Sequence, residues 1–204
     1  MINVLAVYGS PRRLGNTALL LREAVKGARE SGAEVDELAL RDLKLSPCLA
    51  TYECREKGHC VLRDDFARVQ ELIEGSRGII LASPIFFYTV SAQTKILMDR
   101  CHAFWVRKHL YDGERHEQPS GYKRRGLFIS VGATKGKKLF DGSVLTVRYF
   151  FDAIDTGLWK SLLYRSLDAE GEVLQHPEYL EEAHQAGRKL VELIRMEAQS
   201  TFKE

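Results

Sequence analysis

A chain of 204 residues with 45% hydrophobic and 28% charged residues is long enough to bury one core and too apolar to stay disordered. No stretch approaches the roughly 18 consecutive apolar residues of a membrane span. A net charge of +2, with basic residues spread along the chain, makes no case for nucleic acid.

The chain opens with MINVLAVYGS, which reads as a strand over residues 4–7 rather than as a signal peptide. This points to the cytoplasm, where the four cysteines are expected as thiols or metal ligands and not as disulfides. The loop GSPRRLGNT follows. It is not a Walker A loop, because five residues separate Gly9 from Gly15 where four are needed and no lysine follows. It also lacks the G-x-G-x-x-G of a dinucleotide fingerprint. It offers Ser10, Asn16 and Thr17 as donors, with Arg12 and Arg13 as counter-charges. Two readings fit: a helix start that holds a phosphate dianion, or a plain turn with Asn16 as the helix N-cap.

Helical spacing runs over residues 17–31, and an alternating run at 35–40 reads as an edge strand. The connection 41–63 is long and carries PCLATYECREKGHC, with Cys48, Cys54 and Cys60. Loops of this length tend to be functional. Asp64 is expected to cap a helix over 65–75, and a buried strand follows at 79–82. The next loop, SPIFFYTVSAQTK, sets Pro84, Ile85, Phe86, Phe87 and Tyr88 beyond that strand. Three aromatics there either cover a satellite core or meet a flat ligand. Helical spacing resumes over 91–106, with Cys101 expected in the core and His102 on the helix surface or at an interface. The second long connection, 107–124, leads to a strand at 127–131. The loop VGATKGKKLFDGS has three glycines that suit a close backbone approach. A helix over 143–154, a weaker strand over 158–164 and a helix over 178–196 complete the chain. Strand and helix alternate throughout, which predicts a doubly wound α/β parallel sheet in one domain over 1–204. Ligands bind such sheets beyond the carboxyl ends of the strands, where the three loops would meet.

GSPRRLGNT followed by SPIFFYTVSAQTKILMDR resembles the NADPH-dependent FMN reductase and iron–sulfur flavoprotein family, a branch of the flavodoxin-like fold. The resemblance runs from residue 2 to about residue 195. It implies five parallel strands ordered 2-1-3-4-5, with FMN at the strand 1/strand 3 crevice. It assigns Ser10, Arg12, Asn16 and Thr17 to the FMN phosphate. Pro84, Ile85, Phe86 and Phe87 would line the isoalloxazine ring, and Gly132, Ala133 and Thr134 would close the other side. The implied function is an FMN-dependent oxidoreductase that takes a hydride from NAD(P)H and reduces a small acceptor: a quinone, free flavin, metal ion or nitro compound. The flavin supplies the chemistry, so no acid–base residue is nominated. An electron carrier like flavodoxin is the alternative, although the slightly basic charge is unlike the acidic face of such carriers. The resemblance also implies a homodimer or homotetramer, with Trp105 and Tyr111 in a contact segment at 103–124.

The cysteines depart from the iron–sulfur members, whose pattern resembles C-x2-C-x2-C-x5-C. Here Thr51 stands at the second position. A [4Fe–4S] cluster takes four thiolates, so a cluster is not expected. Zinc on Cys48, Cys54, Cys60 and His59 fits no common module.

Overall fold

The computed structural model describes residues 1–111 and 124–201. Five parallel strands form one sheet in the order β2-β1-β3-β4-β5. They are β1 (Ile2–Tyr8), β2 (Ala33–Ala39), β3 (Gly78–Pro84), β4 (Arg124–Gly132) and β5 (Thr156–Arg165). This is the doubly wound, flavodoxin-like order. The strand reading at 35–40 lands on β2, which is an edge strand as its alternation requires.

The apolar runs are continuous because both faces of the sheet are covered. Val4, Ala6 and Tyr8 of β1 pack toward α1 (Asn16–Glu30) and α7 (Pro177–Thr201). Leu5 and Val7 point the other way, into a core shared with α3 (Phe66–Gly75), α4 (Ala92–Arg100), α5 (His102–Val106) and α6 (Asp141–Ala153). Ile80 with Ala82 and Ile79 with Leu81 repeat this alternation on β3. The Val, Leu and Ile side chains among these each contribute about 1.5–3 kcal/mol on full burial. A four-residue helix, α2 (Cys54–Lys57), interrupts the first long connection.

Three expectations need correction. The helix expected over 91–106 is two helices, because the chain breaks at Cys101 before α5 and then enters a π-helical turn at Arg107–Tyr111. Cys101 itself is fully buried, and burial pushes its thiol up. Asn16 is not the N-cap of α1; Gly15 is, in extended conformation. At α3 the N-cap position belongs to Asp65, although the Asp64 carboxylate does accept the Phe66 N–H at 3.0 Å. The expected contact segment 103–124 is described only in part, since residues 112–123 and the Tyr111 side chain lie outside the described residues. Among the described residues no helix is long and apolar enough to cross a membrane.

Helices α1 and α7 cross in backbone contact. A Cβ on Gly187 would lie 1.9 Å from the Ala24 carbonyl oxygen, and one on Gly27 would lie 2.0 Å from that of His184. Backbone cannot yield as a side chain can. Gly187→Ala should therefore destabilise the fold by about 1–3 kcal/mol in urea or thermal unfolding. Gly75→Ala, where a Cβ meets nothing within 4 Å, should leave the midpoint level or raise it.

Candidate functional site

The crossing of β1 into α1 builds one wall of the site. Gly9 donates its N–H to the Ala82 carbonyl at 2.7 Å, and a Cβ there would lie 2.1 Å from Thr94 Oγ1. Only glycine fits. The chain then turns through Ser10, whose buried Oγ accepts the Arg12 N–H at 3.1 Å. Gly15 caps α1 with no side-chain hydrogen bond, and the first turn holds no acidic residue. The side chain of Asn16 is engaged elsewhere. Its Nδ2 donates to the Ala169 carbonyl at 2.9 Å and its Oδ1 accepts the Val173 N–H at 3.1 Å. The leading N–H groups of α1 have no intrahelical acceptor by position, so this helix start suits an anion. Arginines surround it. Arg12 Nη1 lies 3.5 Å from the Asp168 carbonyl, Arg13 pairs with Asp42 at 2.7 Å, and Arg41 Nη1 reaches the Ser10 carbonyl at 3.4 Å.

The aromatic loop after β3 is a two-residue hairpin. Phe86 N–H donates to Thr89 O at 2.9 Å, and Thr89 N–H returns to Phe86 O at 3.1 Å. Its central residues, Phe87 and Tyr88, have φ of 48° and 61°. Such turns normally carry Asn-Gly, because left-handed backbone is unfavourable for bulky side chains. Phe87 is nonetheless fully exposed, and Phe86 and Tyr88 are about half exposed. The aromatics do not cover a satellite core. Exposed rings on strained backbone are a functional signature.

A buried hydroxyl network clamps the two loops together. Ser91 Oγ donates to the Gly9 carbonyl at 2.6 Å and accepts the Thr94 N–H at 3.3 Å as the cap of α4. The Ser91 N–H in turn donates to Ser83 Oγ at 3.0 Å, and Ser130 Oγ donates to the Ser83 carbonyl at 2.7 Å. The ends of β1, β3 and β4 are thereby fixed against one another. The Ile85 N–H, donated to Val131 O at 2.9 Å, adds the start of the aromatic loop.

Ser10, Arg12, Asn16, Thr17, Pro84, Ile85, Phe86 and Ala133 come together around a cleft of about 120 Å³ at the carboxyl edge of the sheet. Phe87, Gly132 and Thr134 are not in its wall. Gly132 answers to packing within the chain, since a Cβ there would lie 2.7 Å from Leu139 Cδ2. Gly142 is similar, with Tyr88 O at 2.6 Å. Leu167 and Asp168, on the connection after β5, complete the wall and were not legible as site residues. The acidic stretch DAEGE beside them was the available signal.

A second, larger cavity of about 790 Å³ lies under the cysteine segment, between it and helices α4, α5 and α6. Cys48, Thr51, Cys54 and Cys60 line it, with Trp105 and Tyr149 opposite. His102 stacks on Trp105 at 5.5 Å. Among the described residues no three His, Cys, Asp or Glu side chains are arranged to hold a metal ion. With Thr51 at the second position and Cys101 sealed in the core, the donor set does not fit a four-thiolate cluster. What holds this segment down is Arg100, whose side chain is fully buried. Its guanidinium grips Asp64 in two bonds of 2.6 and 3.0 Å and also donates to the Ser46 carbonyl at 2.9 Å.

Burial would raise the Asp64 carboxyl, but the bonds from Arg100, Ser46 N–H and Phe66 N–H outweigh it and hold the group below the usual aspartate range. A depressed folded value contributes stability above the unfolded pKa of about 4, and that contribution is lost as pH falls through the folded value. Asp64→Ala should cost about 3–5 kcal/mol by leaving the Arg100 charge buried and alone. It should also flatten the acid limb of a stability–pH profile measured by urea unfolding. At the aromatic hairpin the opposite holds. Phe87→Gly should leave stability unchanged or raise it by up to about 1 kcal/mol, although it deletes a large apolar side chain, because it relieves left-handed strain.

The model of the family described as NADPH-dependent FMN reductase matches residues 2–141, which include both loops and the cysteine segment. An iron-sulfur flavoprotein of Methanocaldococcus jannaschii is 43% identical over 99 residues, 48% of this chain and 51% of that protein. The chain thus spans about half the length of that relative. An iron-sulfur flavoprotein of Archaeoglobus fulgidus is 32% identical over 158 residues, covering 70% of this chain and 72% of its own length. Among solved structures, a flavone reductase superposes with a TM-score of 0.70 at 19% identity, over 95% of this chain and 63% of that one. The NAD(P)H:quinone oxidoreductase of Methanothermobacter marburgensis gives 0.67 at 16% identity, over 93% and 98%. These two share the fold. With its family match over most of its length and its relatives among the iron-sulfur flavoproteins, the chain belongs to the NADPH-dependent FMN reductase family.

Proposed function

We propose that this protein is an FMN-dependent NAD(P)H oxidoreductase that reduces a small acceptor such as a quinone, free flavin, metal ion or nitro compound. The observation that carries the reading is the pairing of an uncapped, arginine-flanked helix start with a left-handed turn of exposed aromatics. One suits a phosphate and the other a flat ring. The residues present fit FMN in chemistry. The cleft of about 120 Å³ would take the phosphate end, with Phe86 in its wall and the exposed rings of Phe87 and Tyr88 on the same loop for the flat system.

Each residue then has a physical task. Ser10, Thr17 and the backbone N–H of Asn16 donate to the phosphate, and Arg12 balances its charge. Asn16 acts through its backbone, since its side chain is bonded to residues 169 and 173. Pro84, Ile85 and Phe86 of the cleft wall would lie along the ring with exposed Phe87 beyond them, and Ala133 would bound its far side, with Gly132 and Thr134 its neighbours in the chain. Bound FMN supplies the two-electron acceptor that the side chains lack. The chain would hold and orient it, and hydride transfer to it would need no acid or base from the protein. A homodimer or homotetramer in the cytoplasm completes the proposal, with the partly exposed Trp105 in the contact. The second reading, an electron carrier without turnover of its own, is favoured only by the names of the iron-sulfur flavoprotein relatives.

Steady-state oxidation of NADPH and NADH by the FMN-loaded protein, with menadione or free FMN as acceptor, separates the two. Turnover supports the enzyme, and a flavin that nicotinamide leaves oxidised supports the carrier. Arg12→Ala should weaken FMN by about 1.5–3 kcal/mol in a fluorescence titration and leave riboflavin nearly unaffected. Equal losses for both ligands would remove Arg12 from the phosphate site.

A further inference from the structure

The segment that departs from the iron–sulfur pattern has a thiol chemistry of its own. Arg100 has five N–H donors. Two go to the Asp64 carboxylate, one to the Ser46 carbonyl at 2.9 Å and one to the Leu62 carbonyl at 3.5 Å. The remaining donor, Nε, points at Cys60 Sγ at 3.2 Å. The guanidinium also sits over the Phe66 ring, 4.7 Å from its centre, so it has no freedom to turn away. A fixed, buried cation therefore aims a hydrogen bond at one sulfur of three. Negative charge that develops on that sulfur during reaction is met in place.

Cys60 is not sealed off. It is partly buried, Cys54 likewise, and Cys48 is exposed, and all three face the cavity of about 790 Å³. Cys54 opens the single turn of α2, and Gly58 closes it with φ of 70°, donating its N–H to the Cys54 carbonyl at 2.9 Å. This left-handed residue turns the chain back, so that Cys60 returns to the cavity that Cys54 already lines. Burial, with the other two sulfurs nearby, pushes the Cys54 thiol up. The Arg100 Nε bond, which goes to Cys60, suits a pair in which Cys60 attacks and Cys54 resolves.

We propose that Cys60 and Cys54 form a thiol–disulfide exchange site for low-molecular-weight disulfides, standing where the relatives' names imply a cluster. The Cys60 thiolate attacks one sulfur of a disulfide R–S–S–R, forming Cys60–S–S–R and releasing the other half as R–S⁻. Cys54 then loses its proton to solvent and attacks the Cys60 sulfur. The second R–S⁻ leaves and a Cys54–Cys60 bridge remains. Two protein thiols are oxidised by two electrons, and the small disulfide is reduced to two thiols.

The test uses the reduced full-length protein with glutathione disulfide, intact-mass analysis and peptide mapping. Free thiols should fall from four to two, with the bridge mapped to Cys54 and Cys60. Cys54→Ser should stop at a glutathione adduct on Cys60, and Cys48→Ser should behave as the unmodified chain. Cys60→Ser should abolish the bridge and slow the first thiolation by roughly tenfold or more. Arg100→Lys, which keeps the charge but loses Nε, should slow it similarly in any folded fraction. Adducts spread evenly over Cys48, Cys54 and Cys60 would overturn the proposal, as would a bridge that includes Cys48. So would stoichiometric uptake of iron and sulfide on anaerobic reconstitution, with the thiols then withheld from glutathione disulfide. None of these readouts involves flavin, so the site and the flavin reading stand or fall separately.

Discussion

The Ser91 hydroxyl, given to the Gly9 carbonyl at 2.6 Å, is the contact on which the carboxyl edge depends. It joins the exit of β1 to the start of α4 across 82 residues of chain. A buried carbonyl at the last turn of a strand needs a donor, and here it receives one that also caps a helix. Thr94 fills the space that a side chain at position 9 would take. The phosphate-loop candidate and the aromatic hairpin are held in register by this one hydroxyl and its neighbours, before any ligand arrives. Preorganised donors and surfaces lose less entropy on binding than mobile ones.

The two cavities contrast in a way that volume alone misjudges. The larger one, about 790 Å³, lies under the cysteine segment, while the cleft at the strand ends is about 120 Å³. Chemistry decides between them. The small cleft has free helix N–H groups, arginines and rings on strained backbone. The large one has sulfurs and aromatic side chains that are partly exposed. The proposed flavin site is accordingly the small cleft, which offers groups for a phosphate inside and exposed rings at its mouth.

The sheet was legible because its strands are buried on both faces, which leaves near-continuous apolar runs that helices do not imitate at that length. β2 was legible for the opposite reason, since an edge strand keeps its alternation. Local turn chemistry could not reveal where the Asn16 side chain goes, because its partners lie 153 and 157 residues away. The same limit hid Leu167 and Asp168. The break at Cys101 was hidden by composition: residues 91–106 keep helical spacing across it, and the backbone departs from the helix only at Cys101, at φ −70° and ψ −1°. The cysteine segment was legible as a departure from a pattern. What replaced the pattern was not, because the Arg100 side chain that organises it belongs to a different helix.

The crossing of α1 and α7 through Gly27 and Gly187 leaves no cushion of side chains between two helices. Side-chain layers let helices slide by rotamer changes; backbone against backbone does not. Helix α1 is therefore a fixed post rather than a lever, and the helix start proposed to hold an anion is fixed with it. On the other flank the exposed rings at 86–88 stand on a hairpin tied to β4 through the Ile85 N–H. In the proposed site, the end assigned to the phosphate thus stands on an anchored post, with the rings at 86–88 as the face turned to solvent.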